Sequence, residues 1–186
     1  DIYHVISKKT YDQVKKLTNK KIISIPFWVD QKLWFEISNK ENLRKKYEVS
    51  EKDFLIGSFQ RDTEGKDLKT PKLIKGPDIF LDIVNSLYKN NKNLKVILSG
   101  KRRNYLINNF EKLNIPFIYF EMVDLKVLNE LYNILDLYIV TSRVEGGPQA
   151  ILECAVSKTP IVSTDVGVAS EILDSKSIFK PEDLKL

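Results

Sequence analysis

Two carboxylates, two adjacent glycines and a pair of outlying cations are the residues of this chain with chemistry in prospect. Glu145 and Glu153 stand eight positions apart around Gly146-Gly147-Pro148-Gln149. An apolar run ends just before them at Thr141, and a helix is expected from 148. Adjacent glycines permit a tight turn and leave their amide N–H groups uncovered. Pro148 suits a first helical position, where its missing N–H is not needed. A strand, a glycine turn and a bare helix N-terminus make an anion site, because orphan amides and the helix dipole both favour negative charge. Arg61 follows Gly57-Ser58-Phe59-Gln60 at a strand end, and Lys75 precedes Gly76-Pro77-Asp78 at a helix start. A diphosphate held by both cations and the amides would gain charge-assisted hydrogen bonds, each worth about 1.5–3 kcal/mol. Glu153 reads either as an exposed acid early in a helix or as an acceptor for a ribose diol. Glu145 either caps its own turn or holds sugar hydroxyls. Ser142 and Arg143 either line the same crevice or face solvent. Lys66 is a rival for the role of Lys75, and Cys154 reads as a small buried helix residue.

The elements that must position these residues begin at residue 53. Strands are expected over 54–59, 94–99, 116–120, 135–140, 160–164 and 177–179, with helices near 77–90, 102–113, 125–134, 148–157 and 168–174. The strands are near-continuous apolar runs, as in sheets covered on both faces. Strand–helix alternation with right-handed crossovers gives a doubly wound parallel sheet of Rossmann-like α/β class. In the common order 3-2-1-4-5-6 the switch point falls between the strands at 54–59 and 135–140, and ligands bind at the carboxyl ends there. That topology would bring Arg61 and Lys75 to the glycine turn. Upstream, strands at 2–6 and 21–25 flank a helix at 8–18. An aromatic segment at 27–35 reads as a linker lying against something, and a polar, exposed helix is expected over 40–47.

Composition narrows the function. The single histidine, His4, precludes a histidine metal cluster within the chain and reads as structural; the single cysteine precludes an internal disulfide. No Asp-x-Asp occurs and carboxylates are not clustered for Mg²⁺, so no metal and no cofactor are expected. Charge on a leaving group would fall to Arg61, Lys75 and the amides. A glycosidase also needs two carboxylates, but an anion site between them has no job in that mechanism. Gly57-Ser58-Phe59-Gln60-Arg61 is no dinucleotide fingerprint. The net charge of +5 is spread over dispersed lysines without a stacking motif, which argues against nucleic acid. It permits contact with a membrane surface, although no run approaches a membrane span.

These residues resemble the retaining nucleotide-sugar glycosyltransferases of the GT-B fold, in the large group one family. The Glu-x₇-Glu signature matches at Glu145 and Glu153; Arg61 and Lys75-Gly76 match the diphosphate-binding Arg and Lys-Gly. Residues 132–142 look like the strand leading into the signature, and 159–173 like the strand and glycine loop that follow. The resemblance covers roughly residues 20–180. It implies a C-terminal donor-binding domain over 39–186, with 1–38 as the end of the N-terminal domain and the linker. It further implies that Glu153 holds the ribose, Glu145 the transferred sugar, Gly146, Gly147, Pro148 and Gln149 the sugar and phosphates, and the loop at Met122 and Val123 the base. Transfer would retain anomeric configuration without metal, to a glycan or lipid-linked acceptor. The resemblance also leads us to expect an acceptor-binding N-terminal domain that this chain does not include, and Pro181 to Leu184 look like the start of final helices, cut short. The chain therefore reads as a fragment, inactive alone, of a cytoplasmic or peripherally membrane-bound enzyme. The competing readings are a non-catalytic nucleotide-sugar binding module, a subunit that needs a partner chain, and, more weakly, a sugar-nucleotide epimerase. The sequence departs from the family pattern in three places: Pro26-Phe27-Trp28-Val29-Asp30 in the linker, a longer loop at 62–74, and Lys101-Arg102-Arg103 where a glycine turn is expected. That basic tripeptide is expected either to strengthen phosphate binding or to contact the base.

Overall fold

A computed structural model of the chain describes residues 1–184. The first unit is β1 (Ile2–Val5), α1 (Lys8–Lys15) and β2 (Lys21–Ser24), with the strands paired in parallel as a sheet of their own. Ser7 starts α1 as a side-chain cap on the Thr10 amide, the usual remedy for an orphan N–H. His4 Nε2 donates to Ile25 O at 2.9 Å, a structural role. The aromatic segment does lie against something. Trp34 is buried and meets Tyr132 edge-on at 5.6 Å, and Asn133 Oδ1 accepts from the Ile37 amide at 2.7 Å.

Next comes α2 (Lys40–Lys46), polar and largely exposed as expected but anchored by one buried face. Leu43 and Arg44 are buried, and the Arg44 guanidinium donates to Ile134 O and pairs with Asp136. The arginine ties α2 to the connection before a core strand, a use that helical charge patterning does not reveal.

The alternation follows as expected: β3 (Phe54–Ser58), a small hairpin of β4 (Thr63–Glu64) and β5 (Thr70–Pro71), a 3-10 turn (Leu73–Lys75), α3 (Pro77–Asn90), β6 (Leu94–Ser99), α4 (Asn104–Leu113), β7 (Phe117–Phe120), α5 (Leu125–Ile134), β8 (Leu137–Val140), α6 (Gln149–Ser157), β9 (Ile161–Thr164), α7 (Ala169–Ile172) and β10 (Ile178–Phe179). Residues 181–183 form one 3-10 turn. The six long-range strands make one sheet in the order β10-β9-β8-β3-β6-β7, every neighbouring pair parallel. This is the doubly wound order, with its switch between β3 and β8.

Successive strand residues point to opposite faces, and both faces are apolar. Leu55, Ile97 and Tyr138 join one core with α2, α5 and α6, through Leu43, Leu131 and Cys154. Ile56, Val96, Leu98 and Ile139 join the other with α3 and α4, through Phe80, Val84, Leu106 and Phe110. Each fully buried side chain of this size contributes about 1.5–3 kcal/mol. The connection before α3 is as specific as the strands. Gly76 has φ +62°, and a Cβ there would lie 1.9 Å from Thr141 O. Only glycine allows the end of β3's loop to press against the end of β8, and that contact carries Lys75 to the switch point.

Candidate functional site

A cleft of about 340 Å³ opens at the carboxyl ends of β3 and β8. Five of the sequence-predicted residues with side chains or turn backbone in play meet there: Lys75, Glu145, Gly147, Pro148 and Gln149; Glu153 forms its inner wall. Lys75 Nζ pairs with Glu145 Oε1. Ser142 Oγ lies 2.9 Å from Glu145 Oε1 and 3.1 Å from Gln60 Oε1. One hydroxyl proton serves one acceptor, and the ionised carboxylate is the stronger. Gln60 in turn donates from Nε2 to Lys75 O at 2.9 Å. The cation, the first carboxylate and the end of β3 are thus held in one network, and Lys66 stays exposed on the hairpin outside it.

The helix start differs from the expectation in one respect. Pro148 stands at the N-cap of α6 with ψ 113°, not at its first helical position, and no side chain caps the helix. The Ile151 amide turns back to Pro148 O at 3.1 Å, while Gln149 and Ala150, which line the cleft, have no side-chain cap on their amides. The glycines also act for another reason than a left-handed turn. Neither Gly146 nor Gly147 has positive φ. A Cβ on Gly147 would come within 3.0 Å of Ile6 Cδ1, and Gly167 packs so closely that its own Cβ would meet Gly146 O at 2.7 Å. Ile6 thus packs tightly on the turn from one side, and Gly167 must itself be glycine to pack on it from the other. Thr10 Oγ1 also donates to Gly146 O at 3.3 Å.

Glu153 is not an exposed helix acid: it is 9% exposed. Burial pushes its carboxyl above the ordinary glutamate range, and the Tyr132 hydroxyl, which donates to Oε2 at 2.7 Å, pulls the other way. Tyr132 is itself fully buried in a cluster with Phe59 and Tyr138. Phe59, Gln60, Leu128, Tyr132 and Tyr138 line the cleft and were missed in the sequence reading. Tyr132 lay inside the motif leading to the signature, but only the fold shows which carboxylate it serves.

Other predicted residues lie elsewhere. Arg61 is exposed, its Nε donating to Thr63 O at 2.8 Å, and it does not line the cleft. Met122 is 66% exposed at the end of β7, and Val123 packs on the α5 core; neither lines the cleft. Arg143 faces outward and grips Asp78 through both nitrogens, at 2.8 and 2.6 Å. Arg103 corrects the reading of the basic tripeptide. It is fully buried, pairs with Asp62 at 2.8 Å, and donates to Ser58 Oγ and Ser99 O. Its Nε–Oδ2 contact is a charge pair rather than an aligned hydrogen bond. Among the described residues no group of three His, Cys, Asp or Glu side chains is placed to hold a metal ion. No helix among them is long and apolar enough to cross a membrane.

Protein CapJ of Staphylococcus aureus is 25% identical over 114 residues, which cover 59% of this chain and 29% of CapJ. Among solved structures, sucrose-phosphate synthase from Thermosynechococcus elongatus superposes with TM-score 0.81 at 14% identity, over 98% of this chain and 46% of its own. HepE of Anabaena, in complex with UDP and glucose, superposes with TM-score 0.70 at 19% identity, over 92% of this chain and 46% of its own. The chain thus spans less than half the length of each. The family model "Glycosyl transferases group 1" matches residues 39–184. The sheet, its switch point and this match together show that the chain belongs to the group 1 glycosyl transferases and has the Rossmann-like fold of the C-terminal GT-B domain.

Proposed function

We propose that the chain is the donor-binding domain of a glycosyltransferase that transfers a sugar from a nucleoside diphosphate, with retention and without a metal. The observation that carries this is the cleft that joins the Lys75–Glu145 pair, the uncapped N-terminus of α6 and the buried Glu153. The diphosphate would rest on the amides of residues 147–149 and draw Lys75 away from Glu145. Glu145, released from its cation, accepts hydroxyls of the transferred sugar. Glu153 accepts from the ribose diol, with Oε2 steadied by Tyr132. As the glycosidic bond breaks, negative charge grows on the departing phosphate oxygen, and Lys75 with the helix amides opposes it in place. Arg61, on the neighbouring rim, adds charge from outside, and the loop at Met122 and Val123 receives the base.

An N-terminal domain would supply the acceptor site, a glycan or a lipid-linked sugar, at the cytoplasmic face of a membrane. Ile6 and Thr10 already reach the glycine turn, so that domain's last helix would couple acceptor and donor sides. HepE was crystallised with UDP and glucose, which makes UDP the first diphosphate to try. Calorimetric titration with UDP, GDP and ADP, with Mg²⁺ or with EDTA, tests the reading. Saturable binding of one diphosphate, unchanged by EDTA, is the expected result. Binding of none removes the donor assignment, and binding that needs Mg²⁺ removes the metal-free mechanism.

A further inference from the structure

Outside the cleft the molecule has a second concave, polar place that the donor role does not use. Residues 61–72 and 101–112 carry eight cations (Arg61, Lys66, Lys69, Lys72, Lys101, Arg102, Arg103, Lys112) against four carboxylates (Asp62, Glu64, Asp67, Glu111). Nearly all of the chain's excess positive charge falls in these two short segments, and the fold brings them together. The Asp62 and Thr63 amides donate to Arg102 O at 3.3 and 3.0 Å, and Arg102 Nη1 donates to Gly65 O at 3.1 Å. The Tyr105 amide donates to Thr63 Oγ1 at 2.8 Å. The buried Arg103–Asp62 pair locks the hairpin to the start of α4 from beneath. The hairpin is therefore a fixed shelf rather than a loose connection. Apart from that buried pair, no cation of the two segments has a carboxylate partner among the described residues.

Between shelf and helix lies a cleft of about 500 Å³, lined by Lys69 from the hairpin and by Tyr105, Asn108, Asn109, Glu111 and Lys112 from α4. Positions 105, 108, 109 and 112 share one helix face. Asn109 Nδ2 donates to Tyr105 O at 2.7 Å, which leaves its carbonyl oxygen outward. The Asn108 amide and the Tyr105 hydroxyl make no hydrogen bond among the described residues. An amide offers two donors and an acceptor, and a phenol offers one of each. These donors and acceptors between two lysines match a chain of sugar hydroxyls that carries acidic groups, with Glu111, the one carboxylate in the lining, as an acceptor for a hydroxyl. A lipid surface fits less well: the place is concave, and Leu68 is the one large apolar side chain exposed in the two segments.

We infer that the groove between the β4–β5 hairpin and α4 binds an acidic saccharide, its carboxylate or phosphate groups on Lys69 and Lys112 and its hydroxyls on Asn108 and Tyr105. This does not rest on the donor assignment, since no residue of the groove lines the donor cleft. The test is titration of the chain with oligogalacturonate at low ionic strength. Maltohexaose serves as the neutral control, and vesicles of phosphatidylglycerol as the lipid arm. Saturable binding of oligogalacturonate, with maltohexaose at least tenfold weaker, is expected. Lys69→Glu with Lys112→Glu should weaken it at least about tenfold, because like charge then faces the ligand. Asn108→Ala, which leaves charge unchanged, should weaken it about threefold through lost hydrogen bonding. Far-UV circular dichroism and melting of both variants control for folding. Three results overturn the inference: no binding of oligogalacturonate, equal binding by the charge-reversed variant, or an Asn108→Ala chain that binds as tightly as the parent. Tighter binding to the vesicles, lost with the same two lysines, reassigns the surface to lipid and also overturns it.

Discussion

Two cation–carboxylate pairs sit near the carboxyl edge of the same sheet, and they do opposite work. Arg103 and Asp62 are 0% and 2% exposed in their side chains; Lys75 and Glu145 are 25% and 14% exposed. The arginine of the first pair also donates to Ser58, Gln60 and Ser99, and its complete burial closes it to a ligand. The lysine of the second has only Glu145 among the described residues, at the open end of a cleft. A pair that is sealed fixes geometry. A pair that is open and monovalent is a contact that a stronger anion can replace. The difference lies in access and in the number of partners, and neither follows from residue type.

The largest expected effect lies on the sealed side. Asp62→Ala leaves the Arg103 guanidinium buried without its counter-charge, which costs about 3–5 kcal/mol when a buried pair is broken from one end. Denaturant unfolding measures it. A loss below about 1 kcal/mol would mean that water reaches Arg103, and the contrast between the pairs would collapse. Lys75→Ala should behave in the opposite way. Stability should stay within about 0.5 kcal/mol, as for most surface changes. Nucleoside diphosphate affinity should fall by about 1.5–3 kcal/mol, the worth of a charge-assisted hydrogen bond. Calorimetry reads this, with the free nucleoside as control; an equal loss for the nucleoside would move Lys75 off the phosphates.

These contrasts also explain what the sequence made legible. The apolar runs at 54–59, 94–99 and 135–140 showed the sheet, because strands covered on both faces have no polar alternation to hide them. Gly146-Gly147-Pro148 placed the helix start to within one residue, because the cues that begin a helix are local. What stayed hidden depends on partners distant in the chain. Arg103 looked like a ligand because Asp62 is its neighbour only in the fold. Loop 62–74 looked like an open connection, yet it folds as a hairpin strapped by Arg102 and Arg103. The turn at 146 and 147 has no positive φ; what the sequence does not show is that Ile6 crowds both positions and that Gly167 packs against their backbone.

Glu153 extends the comparison to a buried carboxylate with no cation partner among the described residues. Its pKa is raised in the folded chain by burial, so the folded state holds the proton more tightly than the unfolded chain does. Stability on this account is fully present below the ordinary value of 4.5 and declines as pH rises through the folded pKa. Glu153→Gln should therefore raise stability at neutral pH by about 1 kcal/mol while weakening diphosphate binding. The ionised carboxylate is the better acceptor for a diol, so binding should fall as pH drops through the Glu153 titration. Tyr132 and Tyr138, the phenols beside it, and Cys154, next to it on α6, are all pushed upward by burial and stay neutral there. The Lys75–Glu145 pair shares the cleft. Tyr132→Phe removes the one hydrogen bond that favours the ionised form and should move the binding midpoint to higher pH. An unchanged midpoint would make Tyr132 a packing residue only.

The smallest effect is expected at Arg61. Its guanidinium is exposed, held at Nε by Thr63 O, and outside the cleft lining. A cation at that distance acts on a bound diphosphate through solvent, where salt screens it over about 8–10 Å. Arg61→Ala should weaken diphosphate binding by about threefold at low salt, and the loss should fade as salt is raised. The loss at Lys75→Ala, made by a direct contact, should persist in salt. If Arg61→Ala instead matches Lys75→Ala in size and resists salt, then Arg61 leaves Thr63 and enters the cleft when the donor binds. It would then belong with the open pair, as the spacing of Arg61 and Lys75-Gly76 first suggested.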